Sequence, residues 1–352
     1  MAQAFQMKWC LLFIVFLVFV NFPILQQLLL SRFFFDDERL LRGKYVFVGG
    51  ASTGIGEEIA YRYARAGAHV AVVARRRQRL EAVAEKCRAL GAASAVVVPA
   101  DLSTLEGSRE AFRKAVEEAF GARLDIMVLN HIISGFSLSF ASDGTVAPKH
   151  AGGGAGQCRS MDSENATCSD LTTEFLHDTR AMLHVNVMSY YELATFAMPY
   201  LVASGRTSGY APSLLPGRDA GGGQLILVGS AVARAGASPK VIPYAPTKYA
   251  VHGLADALRI ELALQKIPVS VTHCAIGEIA TENQRKHTEG ALKLTKSMGL
   301  SGAPSAAADA IVVGGATRLR EVWHPLHQGL HSLMLLRSCC PWIVDQILMI
   351  AG

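Results

Sequence analysis

Tyr244 and Lys248 stand four residues apart at the start of the helix-periodic run "YAPTKYAVHG", so one helical face carries both side chains. A free phenol has a pKa of about 10 and donates its proton poorly near neutrality. A neighbouring cation favours the phenolate and draws that value down. Such a pair suits a reaction in which an oxygen gains negative charge and then a proton, as when a carbonyl carbon accepts a hydride. Ser230, at the end of a strand-like run, offers a hydroxyl to hydrogen-bond that oxygen, and Asn186 lies in the long helix pattern before it. Tyr and Lys at this spacing also arise by chance on ordinary helices. The pair acquires meaning only if another part of the chain can bind a hydride carrier.

That part is residues 48–60, "VGGASTGIGEEIA". Gly50, Gly54 and Gly56 fall where an apolar strand gives way to a helix, with Ser52, Thr53 and Ile55 between them. Backbone N–H groups at a helix start, together with its dipole, favour an anion such as a pyrophosphate. The strand that follows, "HVAVVA", ends in Arg75 and Arg76, and the first acidic residue after it is Glu81. Enzymes that take NAD place a carboxylate here on the ribose 2′-hydroxyl. Guanidinium groups instead pair with a 2′-phosphate. NADP(H) is therefore the expected cofactor, with Arg75 the leading contact, Arg76 second and Ser52 nearby.

The elements that must position these groups alternate along the chain. "KYVFVG", "HVAVVA" and "SAVVVPA" read as strands buried on both faces, and "GEEIAYRYARAG" and "QRLEAVAEKCRALG" as helices stopped by glycine. "LDIMVLN", "QLILVG" and "VSVTHCA" add later strands. This repetition predicts an α/β fold with a Rossmann-like, doubly wound parallel sheet in a single domain over residues 40–318. Two stretches rich in Gly, Ser, Ala and Asp, about 137–172 and 203–223, read as surface insertions. At 352 residues and 51% hydrophobic, the chain is long enough for a full core, and a net charge of +5 spread along it argues against a nucleic-acid partner.

The ends differ from the middle. Trp9 to Leu30 contains no Asp, Glu, Lys or Arg and has the length of a bilayer-spanning helix, so residues 1–31 are expected to be a single-pass membrane anchor. Flanking basic residues favour a cytosolic body, whereas the sequon at Asn165, between Cys158 and Cys168, would suit a lumenal one. Residues 319–352 are apolar but contain Arg337 and Asp345, which points to an interfacial or dimer-facing helix rather than a second span. A C-terminal core helix is the alternative. The cysteines show no metal-ligand spacing.

The glycine spacing resembles the T-G-x-x-x-G-x-G loop of the short-chain dehydrogenase/reductase family, with Gly49 in place of the leading Thr. Asn186, Ser230, Tyr244 and Lys248 match that family's Asn-Ser-Tyr-Lys tetrad in order. The resemblance implies that Lys248 also binds the nicotinamide ribose and that Asn186 holds a water for proton relay. It implies that Asp101 and Leu102 sit at the adenine edge, Asn130 at the adenine ribose, and Ile279 and Thr281 at the nicotinamide amide. Two departures concern Ser230: Gly229 stands where relatives often have a second Ser, and the gap to Tyr244 is one residue longer than usual, which a bulge could absorb.

"RLDIMVLNHI", "HVNVMSYYELATFAMPYL" and "GGATR" are similar to the 11β-hydroxysteroid dehydrogenase type 1 and type 1-like subgroup, over roughly residues 40–318 outside the insertions. That subgroup implies a ketone and secondary alcohol interconverted on a lipophilic, steroid-like substrate, and a lumenal body on the endoplasmic reticulum membrane; a homodimer is also expected. His131, in "LNHI", is expected to be packed rather than catalytic. Another lipid or xenobiotic carbonyl (3-ketosphinganine, retinal) and a non-catalytic NADPH-binding scaffold are the competing readings.

Overall fold

In a computed structural model, the protein is described at Gln27 and over residues 40–133, 138–140, 146–148, 168–207, 222–236, 242–282, 301–326 and 330–351. Apolar runs with no wet face become the central strands. β1 (Tyr45–Gly49) pairs in parallel with β2 (His69–Ala74) on one side and with β4 (Ile126–Leu129) on the other. With β3 (Ser94–Pro99), β7 (Gly223–Val228), β8 (Val269–Ile276) and β9 (Glu321–His324) they form a seven-stranded sheet of order β3-β2-β1-β4-β7-β8-β9. Strand order therefore reverses between β1 and β4, and in such sheets the carboxyl ends at the reversal open a crevice.

Alternation along each strand feeds two cores. Val46, Val48, Ile126 and Ile226 face α1 (Gly54–Arg65) and α8 (Pro304–Ala316) through Ile59, Tyr63, Ile311 and Val312, alongside α2 (Arg77–Ala89). On the other face, Phe47, Met127 and Leu227 meet α3 (Leu105–Phe112), α5 (Ser189–Thr207) and α7 (Tyr244–Leu264) through Phe112, Tyr190 and Leu254. α4 (Cys168–Leu183) reaches α5 through a π-helical stretch, His184–Met188. The predicted α/β sheet and its covering helices are those observed.

Several boundaries move. β9 pairs in parallel with β8, so the domain's sheet runs past residue 318 and the segment 319–352 is not one apolar tail. A strand of four residues, "EVWH", is too short for periodicity to announce it. After it come α9 (Leu330–Cys339) and α10 (Pro341–Ala351), where Arg337 donates to Asp345 at 3.1 Å. The first insertion contains an antiparallel pair, β5 (Leu138–Phe140) and β6 (Val146–Pro148), and α4 begins inside its predicted limit. The second is shortened from both sides by α5 and β7.

Among the described residues no helix is long and apolar enough to cross a membrane. The anchor reading of Trp9 to Leu30 lies outside the described residues except at Gln27, and so do Cys158 and Asn165. The buried Gln27 amide donates to the Trp323 carbonyl and accepts from the Trp323 N–H, both at 3.0 Å, pairing with the edge strand β9.

Candidate active site

The loop between β1 and α1 is built so that backbone can approach a ligand. Gly50 and Gly54 hold φ of +76° and +66°, the left-handed region that favours glycine. A Cβ on Gly56 would lie 2.3 Å from the Gly50 carbonyl oxygen and 2.6 Å from Asn130 Nδ2, so only glycine fits. Thr53, at the helix cap, is extended and makes no capping hydrogen bond with its side chain. The first N–H groups of α1 thus lack a protein acceptor at that cap, which suits a phosphate.

A cleft of about 410 Å³ runs from this loop across the sheet. Gly50, Ser52, Thr53, Gly54 and Ile55 line one wall, and Gly56 supports it from behind. Arg75, Arg76, Asp101, Leu102 and Asn130 line the adjoining end, while Ile279 and Thr281 border the opening beyond Gly54. Arg76 donates to Ser52 Oγ and Thr53 Oγ1, both at 2.9 Å. Arg76 thus lies against the loop, while Arg75, also exposed, lines the cleft beside it. One Asp101 oxygen accepts from the Ser103 N–H at 3.0 Å, which fixes the carboxylate at the rim.

Ser230, Tyr244 and Lys248 line the same cleft. Tyr244 opens α7 and is half-buried, with the Ser230 hydroxyl beside it. Burial pushes its phenol up to about 12, and the Ser230 hydrogen bond opposes that rise. Lys248, one turn on, is buried; its Nζ lies 5.6 Å from the Tyr244 ring centroid and donates to the Val228 carbonyl at 3.4 Å. Desolvation draws its ammonium down to about 7. Burial is the largest influence on both groups in this arrangement. Tyr244 is held as a neutral phenol, the state a proton donor needs. The extra residue between Ser230 and Tyr244 lies in a connection containing α6 (Val232–Ala235) and Gly236, and Ser230 still meets Tyr244.

The Asn186 side chain is held by protein at both ends. It sits in the π-helical stretch, fully buried. Its Oδ1 accepts from the Ile133 N–H at 2.7 Å, and its Nδ2 donates to the Ile133 carbonyl at 2.9 Å and to Thr247 Oγ1 at 3.3 Å. With both ends of the amide engaged, the residue acts as a clasp between the β4 loop and α7. Thr247 donates onward to the Tyr244 carbonyl at 2.7 Å, so the clasp steadies the turn that carries Tyr244 and Lys248. Ile133 and Thr247 carry no sequence signal of their own.

Two glycines prove to be partners of buried histidines. His131 Nε2 is 2.6 Å from Ser189 Oγ, which itself donates to the Val185 carbonyl, so the pattern assigns the ring proton to Nε2. Burial lowers its pKa to about 3 and keeps it neutral. A Cβ on Gly49 would lie 2.8 Å from His131 Nδ1: the imidazole fills the space of the family's Thr. Gly49→Thr should therefore cost about 1–3 kcal/mol by overpacking, and Gly49→Thr with His131→Ala should recover most of it. Thermal unfolding checks this, and an unchanged midpoint in the single variant would refute it. A Cβ on Gly229 would likewise lie 2.2 Å from His273 Nε2. His273 was not among the residues expected at the site.

A doubly wound parallel sheet with a phosphate-shaped glycine loop and a Tyr-Lys pair in one cleft defines an α/β dinucleotide-binding oxidoreductase. The chain belongs to the short chain dehydrogenase family, whose model matches residues 44–142 and 154–291. It is 33% identical over 313 residues to the "Hydroxysteroid 11-beta-dehydrogenase 1-like protein" of Danio rerio, covering 89% of this chain and 88% of that one. The proteins of that name in Xenopus tropicalis and Gallus gallus are 35% and 34% identical, covering 83% and 87% of this chain and 82% and 88% of theirs. Among solved structures, a short-chain type dehydrogenase/reductase from Mycobacterium marinum superposes with a TM-score of 0.59 at 23% identity, over 82% of this chain and 96% of the other. An alcohol dehydrogenase from Thermococcus sibiricus complexed with 5-hydroxy-NADP gives 0.56 at 21%, over 80% and 96%. At these identities the structural likeness speaks for the fold.

Proposed function

We propose that the protein is an NADP(H)-dependent oxidoreductase that interconverts a ketone and a secondary alcohol on a steroid-like lipid. The observation that carries this is one cleft lined by the Arg76-anchored glycine loop and by Ser230, Tyr244 and Lys248. The names of the relatives support the steroid-like class.

Bound NADPH supplies the hydride. The glycine loop and the α1 N-terminus would hold its pyrophosphate, Arg76 and Arg75 its 2′-phosphate, and Asp101, Leu102 and Asn130 its adenosine end. Ile279, Thr281 and Lys248 would hold the nicotinamide end. In reduction, Ser230 Oγ donates to the substrate carbonyl oxygen, and Tyr244 Oη passes its proton to that oxygen as negative charge develops. The Lys248 ammonium, desolvated one turn away, then stabilises the tyrosinate. Oxidation runs the same proton in reverse. Asn186 holds the β4 loop and α7 in register throughout.

The charge-free run from Trp9 to Leu30 supports a single-pass anchor over residues 1–31, which we place in the endoplasmic reticulum membrane with a lumenal body. Exposed Trp342 and Ile347 on α10 support a lipid-facing or dimer-facing role for that helix. A catalytically silent scaffold is opposed by the meeting of Ser230 and Tyr244, which NADPH binding alone does not require.

NADPH oxidation by the detergent-solubilised chain with an 11-keto steroid tests the proposal, with NADH run alongside. Turnover should favour NADPH, and Arg76→Glu should raise its KM roughly tenfold or more while sparing NADH. Equal use of both cofactors by the wild type would refute the Arg76 assignment. NADPH binding without turnover on any ketosteroid or other lipid carbonyl would support the scaffold.

A further inference from the structure

Behind Gly229, on the side of β8 and β9 away from the cofactor loop, His252 of α7, His273 of β8 and Glu321 of β9 converge. Their ligand-type atoms all lie within 4.8 Å of one another. His273 is fully buried, and neither ring nitrogen completes a hydrogen bond. Its Nδ1 stands 3.5 Å from Glu321 Oε1, longer than an ordinary hydrogen bond and close to the separation of two ligands on a tetrahedral ion with bonds of about 2.0 Å. Buried polar atoms left without partners are rare and call for a physical reason.

Arg234 of α6 occupies the middle of this cluster. Its Nε is 3.3 Å from Glu321 Oε1, and its Nη1 donates to His252 Nε2 at 3.1 Å. His252 Nε2 also stands 3.3 Å from Asp256 Oδ2, and a cation already stands between two of the three groups. Trp323 Nε1 donates to the other Glu321 oxygen at 3.2 Å, the outer support that orients a ligating carboxylate. Asp256 borders the cluster: its Oδ1 accepts from Arg259 at 2.7 Å and Arg320 at 2.8 Å, and its Oδ2 is the oxygen beside His252 Nε2.

We propose that His252, His273 and Glu321 form a binding site for a divalent transition ion, zinc by ligand type, in competition with the Arg234 guanidinium. Two nitrogens and a carboxylate oxygen, with a fourth position for water, are a common zinc set. Zinc takes the two atoms that now hold Arg234 and releases it. Because α6 follows Ser230 almost directly, that release loosens Ser230 and lowers turnover without touching the glycine loop.

The test is equilibrium dialysis of the full chain in detergent against micromolar zinc, with metal content measured by elemental analysis. Visible absorption of a cobalt-loaded sample reports ligand geometry. One zinc per chain is expected, with affinity falling roughly tenfold or more in Glu321→Gln and in His252→Ala. Arg234→Ala should bind zinc tighter by a similar factor, a gain that misfolding does not produce. NADPH binding, followed in each variant, shows that the fold is kept. Wild-type and Arg234→Ala chains that bind no more zinc than Glu321→Gln overturn the site. Inhibition by zinc that persists in Glu321→Gln overturns the link to Ser230.

Discussion

Tyr244→Phe is expected to lower kcat by about 10²–10⁴-fold while changing the NADPH dissociation constant by less than roughly twofold. The ring keeps its volume and its place at the head of α7, so packing against Ser230 and Lys248 survives; only the transferable proton goes. Because Tyr244 is half-buried and its hydroxyl faces the cleft, the loss should also leave the unfolding midpoint nearly unchanged. The decisive comparison is single-turnover carbonyl reduction against fluorescence titration with NADPH. Loss of both together would mean that Tyr244 supports the fold or the cofactor site. Retained turnover would remove it as the acid.

Lys248→Met should abolish turnover and yet make the protein more stable. The ammonium is buried, has one carbonyl acceptor at 3.4 Å, and is drawn by desolvation from its ordinary 10.5 down to about 7. Each unit of such a shift is worth about 1.4 kcal/mol, so at neutral pH the buried cation costs on the order of a few kcal/mol. Methionine fills a similar volume without that cost and loses about 1 kcal/mol of hydrogen bonding to Val228. The sign with pH follows. A base whose folded pKa is depressed leaves the unfolded chain binding more protons between about 7 and 10.5, so wild-type stability rises with pH across that window. Lys248→Met should lack this component. Its midpoint should exceed that of the wild type by several degrees at pH 7, and the gap should narrow toward pH 9. A variant less stable at pH 7 would show that the lysine is satisfied in the folded protein.

Such a stable but inactive variant would identify Lys248 as a residue kept for chemistry at the expense of stability, a trade common in active sites. The same logic separates Lys248 from His131. Both are buried beside the cleft, but His131 is neutral, hydrogen-bonded to Ser189 and packed against Gly49, so it stabilises the site it adjoins.

The amino-acid sequence by itself determined the strands and helices around the cleft, the glycine loop, and the membership of Ser230, Tyr244 and Lys248. All but Ser230, which the order of the family's tetrad supplied, rest on a periodicity or spacing confined to a few turns of chain. The four-residue β9 was too short for that signal, and the domain boundary moved with it. Tertiary structure alone decided that Asn186 clasps Ile133 and Thr247, that Arg76 lies against the loop, and that His131 and His273 fill the spaces left by Gly49 and Gly229. It also decided how deeply Tyr244 and Lys248 are desolvated, which raises the phenol and lowers the ammonium and which spacing cannot show. The reason is common to all of these. Contacts between distant segments, and the water those contacts exclude, exist only once the sheet has brought the strand ends together.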